Sequence, residues 1–302
     1  MTRLRVTLLA AVAPITWGTT YSVTTLFLPP DRPMTAALLR ALPAALVLLA
    51  LAPGRPTGRW WLRLAVLGVL NIGAFFPLLF VAAYRLPGGL AAVVGSLQPL
   101  IVSGVMFVLG WGRTPRTQLL WALTAVAGVT LTVLGADAHV DGLGIAAALA
   151  GTSVMGVGIV LTRRWGKPPD MSGLTATAWQ LLIGCVLIAA LVPLVDTGSF
   201  VVTSRMLVGC AWLSLVGTAL AYSVWFLGAR ELPSTNLSLL GVLSPVTAAL
   251  AGLALLGEVF TPLQTAGFVL ALLGAIAGQR IDLTSLLRPR RALRGPELLS
   301  RR

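Results

Sequence analysis

Charge is what this 302-residue chain lacks: Asp, Glu, Lys and Arg together make up 10% of it, against about a quarter in a soluble domain. A surface so poor in charge does not solvate a globule, which excludes an ordinary soluble fold. Acids are the scarcer sign, nine against 22 Lys and Arg, for a net charge of +13. The one histidine, His139, sits in the short acidic turn Asp137-Ala-His139-Val-Asp141, and the two cysteines, Cys185 and Cys210, lie inside apolar runs. Neither spacing makes a metal site or a disulfide framework, and no cofactor is implied. No His or Asp falls within an apolar run, no Ser is paired with a base, and no glycine-rich phosphate loop occurs. Enzymatic chemistry is therefore not expected.

What is present is apolar: 57% of the residues are hydrophobic and the mean hydropathy is +0.92. Uncharged runs cover 6–30, 64–84, 86–112, 117–136, 142–162, 171–195, 206–229, 232–257 and 259–279, each 20 to 27 residues long. A tenth run, 33–54, is interrupted only by Arg40. A bilayer-spanning helix needs about 20 apolar residues, whereas barrel strands are about half as long and alternate with period two. The chain reads as an all-α polytopic membrane protein with ten transmembrane helices. Only about five apolar residues precede the small-residue triplet Ala11-Val-Ala13, too few for the core of a cleaved signal, so the first run reads as span 1.

The basic residues fall between the runs. With the N-terminus inside, loops on the cytoplasmic side carry 18 Lys and Arg and the opposite loops three, Arg32, Arg85 and Arg205. That bias predicts both termini in the cytoplasm. It also assigns the positive charge to membrane topology and not to nucleic acid; the basic tail at 281–302 is expected to serve as a topological anchor, with anionic membrane lipid as its alternative partner.

The two halves resemble each other. Residues 80–128 laid on 226–274 give eleven identities in 49 positions, among them Phe80/Phe226, Pro87/Pro233, Pro99/Pro245, Gln118/Gln264 and Gly128/Gly274. Five spans per half is an odd number, so the copies sit upside down relative to each other. Such inverted repeats are the architecture of alternating-access transporters. The expected division is 1–137, 138–280 and the tail 281–302.

Several short motifs add up to a resemblance. They are Trp17-Gly18, Leu38-Leu39-Arg40-Ala41, Tyr84-Arg85-Leu86-Pro87, Ala229-Arg-Glu-Leu-Pro-Ser-Thr-Asn236, Leu243-Ser-Pro245, Leu256-Gly-Glu258 and Gln264-Thr-Ala-Gly267. In that order they resemble the drug/metabolite transporter superfamily, in its EamA-type ten-span branch. The resemblance implies ten unbroken helices around a central cavity in a bacterial cytoplasmic membrane. It further implies export of amino acids, their analogues, other metabolites or cationic compounds, driven by proton or substrate gradients. One departure stands out: the family often closes span 4 with Gly-Glu, and here that position reads Gly110-Trp-Gly112.

Within the spans, Arg40 is the sole deeply placed base, and an arginine there costs roughly 2.5–3.5 kcal/mol on insertion scales. It either pairs with a substrate carboxylate or locks neighbouring helices. A shift of 140 puts Gln180 at the matching position of span 7, beside Trp179; both are candidates for substrate contact, with a buried interhelical bond as the alternative role of Gln180. Trp17, Phe76, Tyr222 and Trp225 are candidates for an aromatic wall, and Asn71 and Gln98 for polar contacts in the same pathway. Pro99 and Pro245 are expected to remove a hydrogen bond in mid-helix, either letting spans 4 and 9 bend during the access change or leaving a static kink. Glu258, closing span 9, is a candidate for gating or proton coupling. The Gly274-Ala-Ile-Ala-Gly278 face suits packing within the chain, which is expected to be a monomer or weak homodimer. The leading expectation is a secondary exporter of small amphipathic metabolites such as amino acids. Export of cationic aromatic drugs stands second, and an intramembrane lipid-modifying enzyme or a channel third.

Overall fold

The computed structural model describes residues 3–110, 116–134, 141–197, 199, 201–232 and 240–277. His139, Trp111, Asn236, Gly278 and the tail 281–302 lie outside them, and of Pro99 only the backbone is described. All regular structure among the described residues is helical. In chain order the helices are α1 (Arg3–Gly18), α2 (Thr20–Phe27), α3 (Pro33–Leu51), α4 (Trp60–Arg85), α5 (Gly88–Val108) and α6 (Arg116–Leu134). They continue with α7 (Gly142–Trp165), α8 (Gly173–Val195), α9 (Ser204–Gly228), α10 (Leu243–Leu256) and α11 (Pro262–Ala277). Six of them, α3, α4, α5, α7, α8 and α9, are each long and apolar enough to cross a bilayer. The pair α1 and α2 passes the same test together, and α6, α10 and α11 contain shorter apolar helices. The chain is an all-helical, multi-pass membrane protein.

The first span is not unbroken, as the resemblance implied, but bends by 42° between α1 and α2. Pro14 lies inside α1 and can donate no backbone hydrogen bond. The hydroxyls of Thr16 and Thr19 bond back to Ala13 O at 2.8 Å and Thr16 O at 2.7 Å, competing with the helical ladder. Gly18 lets the bend press against the backbone of Ser244 on α10, where a Cβ would collide.

The prolines also behave differently from expectation. The helical segment of α5 that carries Pro99 restarts at Gln98 after a turn at Ser96–Leu97, and α10 begins at Leu243 after a turn at Gly241–Val242. Pro99 and Pro245 thus stand in a first helical turn, where a missing N–H removes no intrahelical bond. The break precedes each proline instead of centring on it.

Two apolar clusters hold the bundle. One joins Ala37, Ala41 and Leu48 of α3 and Phe76 and Phe80 of α4 to Leu181 and Ile188 of α8 and Leu213 of α9. The other joins α5 to α6, α7 and α11 around Leu90, Val93, Val129, Ala147 and Phe268. Within it α6 and α11 approach backbone to backbone: a Cβ on Gly267 would stand 2.5 Å from Thr132 N, and one on Gly128 would overlap Ala271. Gly274 packs on Ala125 in the same seam, so its small-residue face is used within the chain.

Candidate functional site

Both α4 and α9 widen into π-helical turns at mid-length, over Val69–Ala74 and Trp212–Leu220. Such turns are enriched at functional sites because the extra residue disturbs the regular ladder and re-aims side chains and carbonyls. In α9 the turn presents Gly217 O and the Thr218 hydroxyl, which itself donates to Leu213 O at 2.9 Å. Arg40 of α3 reaches across to this turn. Its Nε donates to Thr218 Oγ1 at 3.2 Å, its Nη1 to Thr20 Oγ1 at 3.2 Å and its Nη2 to Gly217 O at 3.4 Å.

The guanidinium also lies over the Phe76 ring, 4.7 Å from its centroid. Arg40 is only 4% exposed, and every partner it has among the described residues is neutral. A buried charge with no counter-charge among the described residues is costly, so three long hydrogen bonds to neutral acceptors leave the site short of an anion.

The aromatic residues gather on the same turn. Trp17 Nε1 donates to Gly217 O at 3.1 Å, which makes this carbonyl a shared acceptor for Trp17 and Arg40. The Trp17 ring stands 5.2 Å from Trp225 and 5.8 Å from Tyr222, both at tilted angles, and Tyr222 stacks on Phe226 at 6.3 Å. Arg40, Trp17, Phe76, Tyr222 and Trp225 therefore form one constellation.

A second polar pair is built the same way in the other direction. Asn71 stands in the π-helical turn of α4 and donates through Nδ2 to Gln180 Oε1 on α8 at 2.9 Å. Its Oδ1 is buried without a partner against Gly158 of α7, where even a Cβ would overlap it.

Trp179 parts company with its neighbour. Its Nε1 donates to Gly54 O at 2.8 Å and its ring meets Trp61 edge-on at 4.9 Å. It belongs to a group of rings at the helix ends, where Arg63 also lies over Trp60 at 4.9 Å and Trp165 at 5.9 Å. Gln98 is half-buried at the first position after the break in α5 and enters neither constellation. Glu258 lies just past α10, and its Oε1 accepts from Gly88 N at 3.1 Å.

Sequence reasoning missed Thr20, Thr218 and the Gly217 carbonyl. Threonines in spans usually satisfy themselves by bonding back one turn, so they carry little signal, and a main-chain carbonyl carries none.

Comparison with known proteins follows the same lines. The model of the EamA-like transporter family matches residues 4–134 and again 142–277. Protein PecM of Dickeya dadantii (strain 3937) is 43% identical over 276 residues, 91% of this chain and 93% of PecM. The threonine/homoserine exporter RhtA of Escherichia coli (strain K12) is 29% identical over 287 residues, 94% of this chain and 92% of RhtA. A crystal structure of a protein at 22% identity superposes with a TM-score of 0.62, covering 92% of this chain and 98% of the other, and shows the likeness of fold alone. Two matches of one family model, together spanning most of the chain, decide the matter: this protein is a member of the EamA-like transporter family, within the drug/metabolite transporter superfamily.

Proposed function

We propose that this transporter is a secondary active exporter of small carboxylate-bearing metabolites, amino acids or their analogues, working by alternating access between two inverted five-helix repeats. The observation that carries the substrate class is Arg40: a buried guanidinium whose partners are a carbonyl, two hydroxyls and a ring, with no carboxylate beside it among the described residues. A substrate carboxylate supplies the missing charge through the two-pronged geometry that arginine offers. The adjoining Trp17, Tyr222 and Trp225 give the substrate's apolar part a wall. The similarity to a threonine/homoserine exporter supports the same class.

The inverted repeat has support in the contacts. The shift of 146 that aligns Phe80 with Phe226 also lays Val69–Ala74 on the second part of Trp212–Leu220, and Asn71 on Gly217. The shift of 140 that lays Pro33 on Gly173, the first residues of α3 and α8, lays Arg40 on Gln180. Arg40 touches Gly217, and Gln180 touches Asn71. In each case α3 or α8 meets the π-helical turn of the opposite half, as a pseudo-twofold axis requires. In this reading α1 with α2 is span 1, α3 to α11 are the other nine, and both termini lie in the cytoplasm of a bacterial cell.

Export of cationic aromatic compounds is the second reading, favoured by the Trp17–Trp225–Tyr222 cluster. A positive guanidinium beside those rings repels a cation, which ranks it behind the first. Counterflow of labelled amino acids into reconstituted vesicles without ATP tests the proposal. Exchange of quaternary amines with no exchange of any amino acid would overturn the substrate class.

A further inference from the structure

Helices normally cap their own first turn with a Ser, Thr, Asp or Asn side chain, because the leading N–H groups have no partner inside the helix. In this protein α7, α8 and α9 do so with Asp141, Ser172 and Thr203, which accept from Gly144 N, Thr175 N and Met206 N. Neither α3 nor α5 does: their flanking residues, Arg32 and Pro87, make no side-chain cap. Both helices borrow one from the other half of the chain. Asp196, at the end of α8, accepts from Thr35 N at 2.6 Å and from Met34 N at 3.3 Å, across more than 160 residues of sequence. Glu258, just past α10, accepts from Gly88 N at 3.1 Å across 170 residues.

The two borrowed caps lie at the bundle end that the charge bias assigns to the outside. Asp196 is 7% exposed, and Arg32 reinforces the junction by donating to Asp196 O at 2.8 Å and Ser199 O at 3.2 Å. Among the described residues the second oxygen of Glu258 is buried with no partner, and the carboxylate is held by its one bond to Gly88 N. A third, exposed contact at the same end joins Arg85 of α4 to Asp141 of α7 at 2.6 Å.

We propose that Asp196 and Glu258 are carboxylate latches that hold the outer end of the two halves together, and that outward opening proceeds by releasing the first turns of α3 and α5. A carboxylate at a helix N-terminus combines a charge-assisted hydrogen bond with the favourable end of the helix dipole. A cap within the same element moves with its helix and is indifferent to opening. A cap borrowed across the interface exists only in the closed state and therefore biases the equilibrium toward it. This inference rests on the alternating-access reading above.

The test uses the full chain in proteoliposomes, with Cys185 and Cys210 replaced by Ala and spin labels at Thr25→Cys and Val259→Cys, both exposed and on opposite halves. Electron–electron resonance reads the distance between them. Asp196→Asn and Glu258→Gln each raise the ratio of the longer to the shorter distance roughly tenfold, the loss expected when a charge-assisted bond becomes a neutral one. Pro87→Ser is the control: its hydroxyl reaches Gly89 N or Leu90 N and leaves Gly88 N to Glu258, so the ratio stays as in the parent. If a mixture of amino acids shifts the distances but neither Asp196→Asn nor Glu258→Gln does, the latch is refuted and alternating access stands. If neither amino acids nor variants shift them, both fall.

Discussion

Replacing Arg40 tests the site most sharply, because its structural and functional roles predict opposite effects on stability. In Arg40→Gln three hydrogen bonds of 3.2, 3.2 and 3.4 Å and the contact with Phe76 are lost. Two of the acceptors keep a partner. Gly217 O still receives Trp17 Nε1 at 3.1 Å, and the Thr218 hydroxyl still donates to Leu213 O at 2.9 Å. Hydrogen bonds from a charged donor contribute about 1.5–3 kcal/mol each, and bonds this long fall at the low end or below it. Against that loss stands the removal of a buried charge with no counter-charge among the described residues, whose desolvation costs several kcal/mol. The purified variant is therefore expected to melt at the same temperature as the parent or higher. Binding behaves otherwise. Losing a charge-assisted contact of about 1.5–3 kcal/mol weakens carboxylate-bearing substrates roughly 10- to 150-fold and leaves uncharged analogues within about threefold. Arg40→Lys keeps the charge but loses the planar fork, and falls between the two. Equilibrium binding and thermal unfolding on the same preparations decide the question. A lowered melting temperature together with equal loss for all substrates would show Arg40 to be a helix lock.

Three further outcomes follow from the packing. Gly128→Ala drives a methyl group into the backbone of Ala271, which cannot yield as a flexible side chain would; about 1–3 kcal/mol or more of stability is lost, whereas Gly104→Ala, with open space around it, is neutral by thermal unfolding. Gly158→Ala displaces Asn71 and breaks its bond to Gln180, and Asn71→Ala in the same chain restores room, so the two changes couple by about 0.5–3 kcal/mol in a double-mutant cycle. Asp141 is held below the usual carboxylate range, first by the Gly144 N–H and then by the Arg85 guanidinium. A depressed value stabilises the fold above the ordinary value near 3.9 and loses that contribution as pH falls through the folded one, so Asp141→Asn lowers the melting temperature at pH 6 and ceases to differ from the parent well below about pH 4.

The membrane class was legible because it depends on composition along the chain: runs of 20 to 27 residues without charge leave few alternatives to helices in lipid. Arg40 was legible for the same reason, as the one base inside such a run. Its partners were not. Two are ordinary threonines and the third is a carbonyl made available by a π-helical turn, which depends on how α9 packs and has no residue code. Trp179 and Gln180 show the limit of position alone. Adjacent on α8, they point about 100° apart, so one joins the Trp61 ring at the helix ends and the other joins Asn71.

The helix breaks divide along the same line. Pro14, Pro99 and Pro245 mark where a helix is weak, but whether it bends, restarts or continues is set by what packs there: Ser244 against Gly18 beside the bend at Thr19, and the turns at Ser96–Leu97 and Gly241–Val242 before the two later prolines. The sequence by itself determined that the chain lives in a membrane, how its apolar segments are spaced and which residues are too polar to face lipid. Tertiary structure alone decided which of those polar groups meet, since Asp196 with Thr35 and Glu258 with Gly88 are contacts across 161 and 170 residues. Local hydrogen bonding and hydropathy act over a few turns of helix, and a contact between distant segments exists only once the bundle has closed.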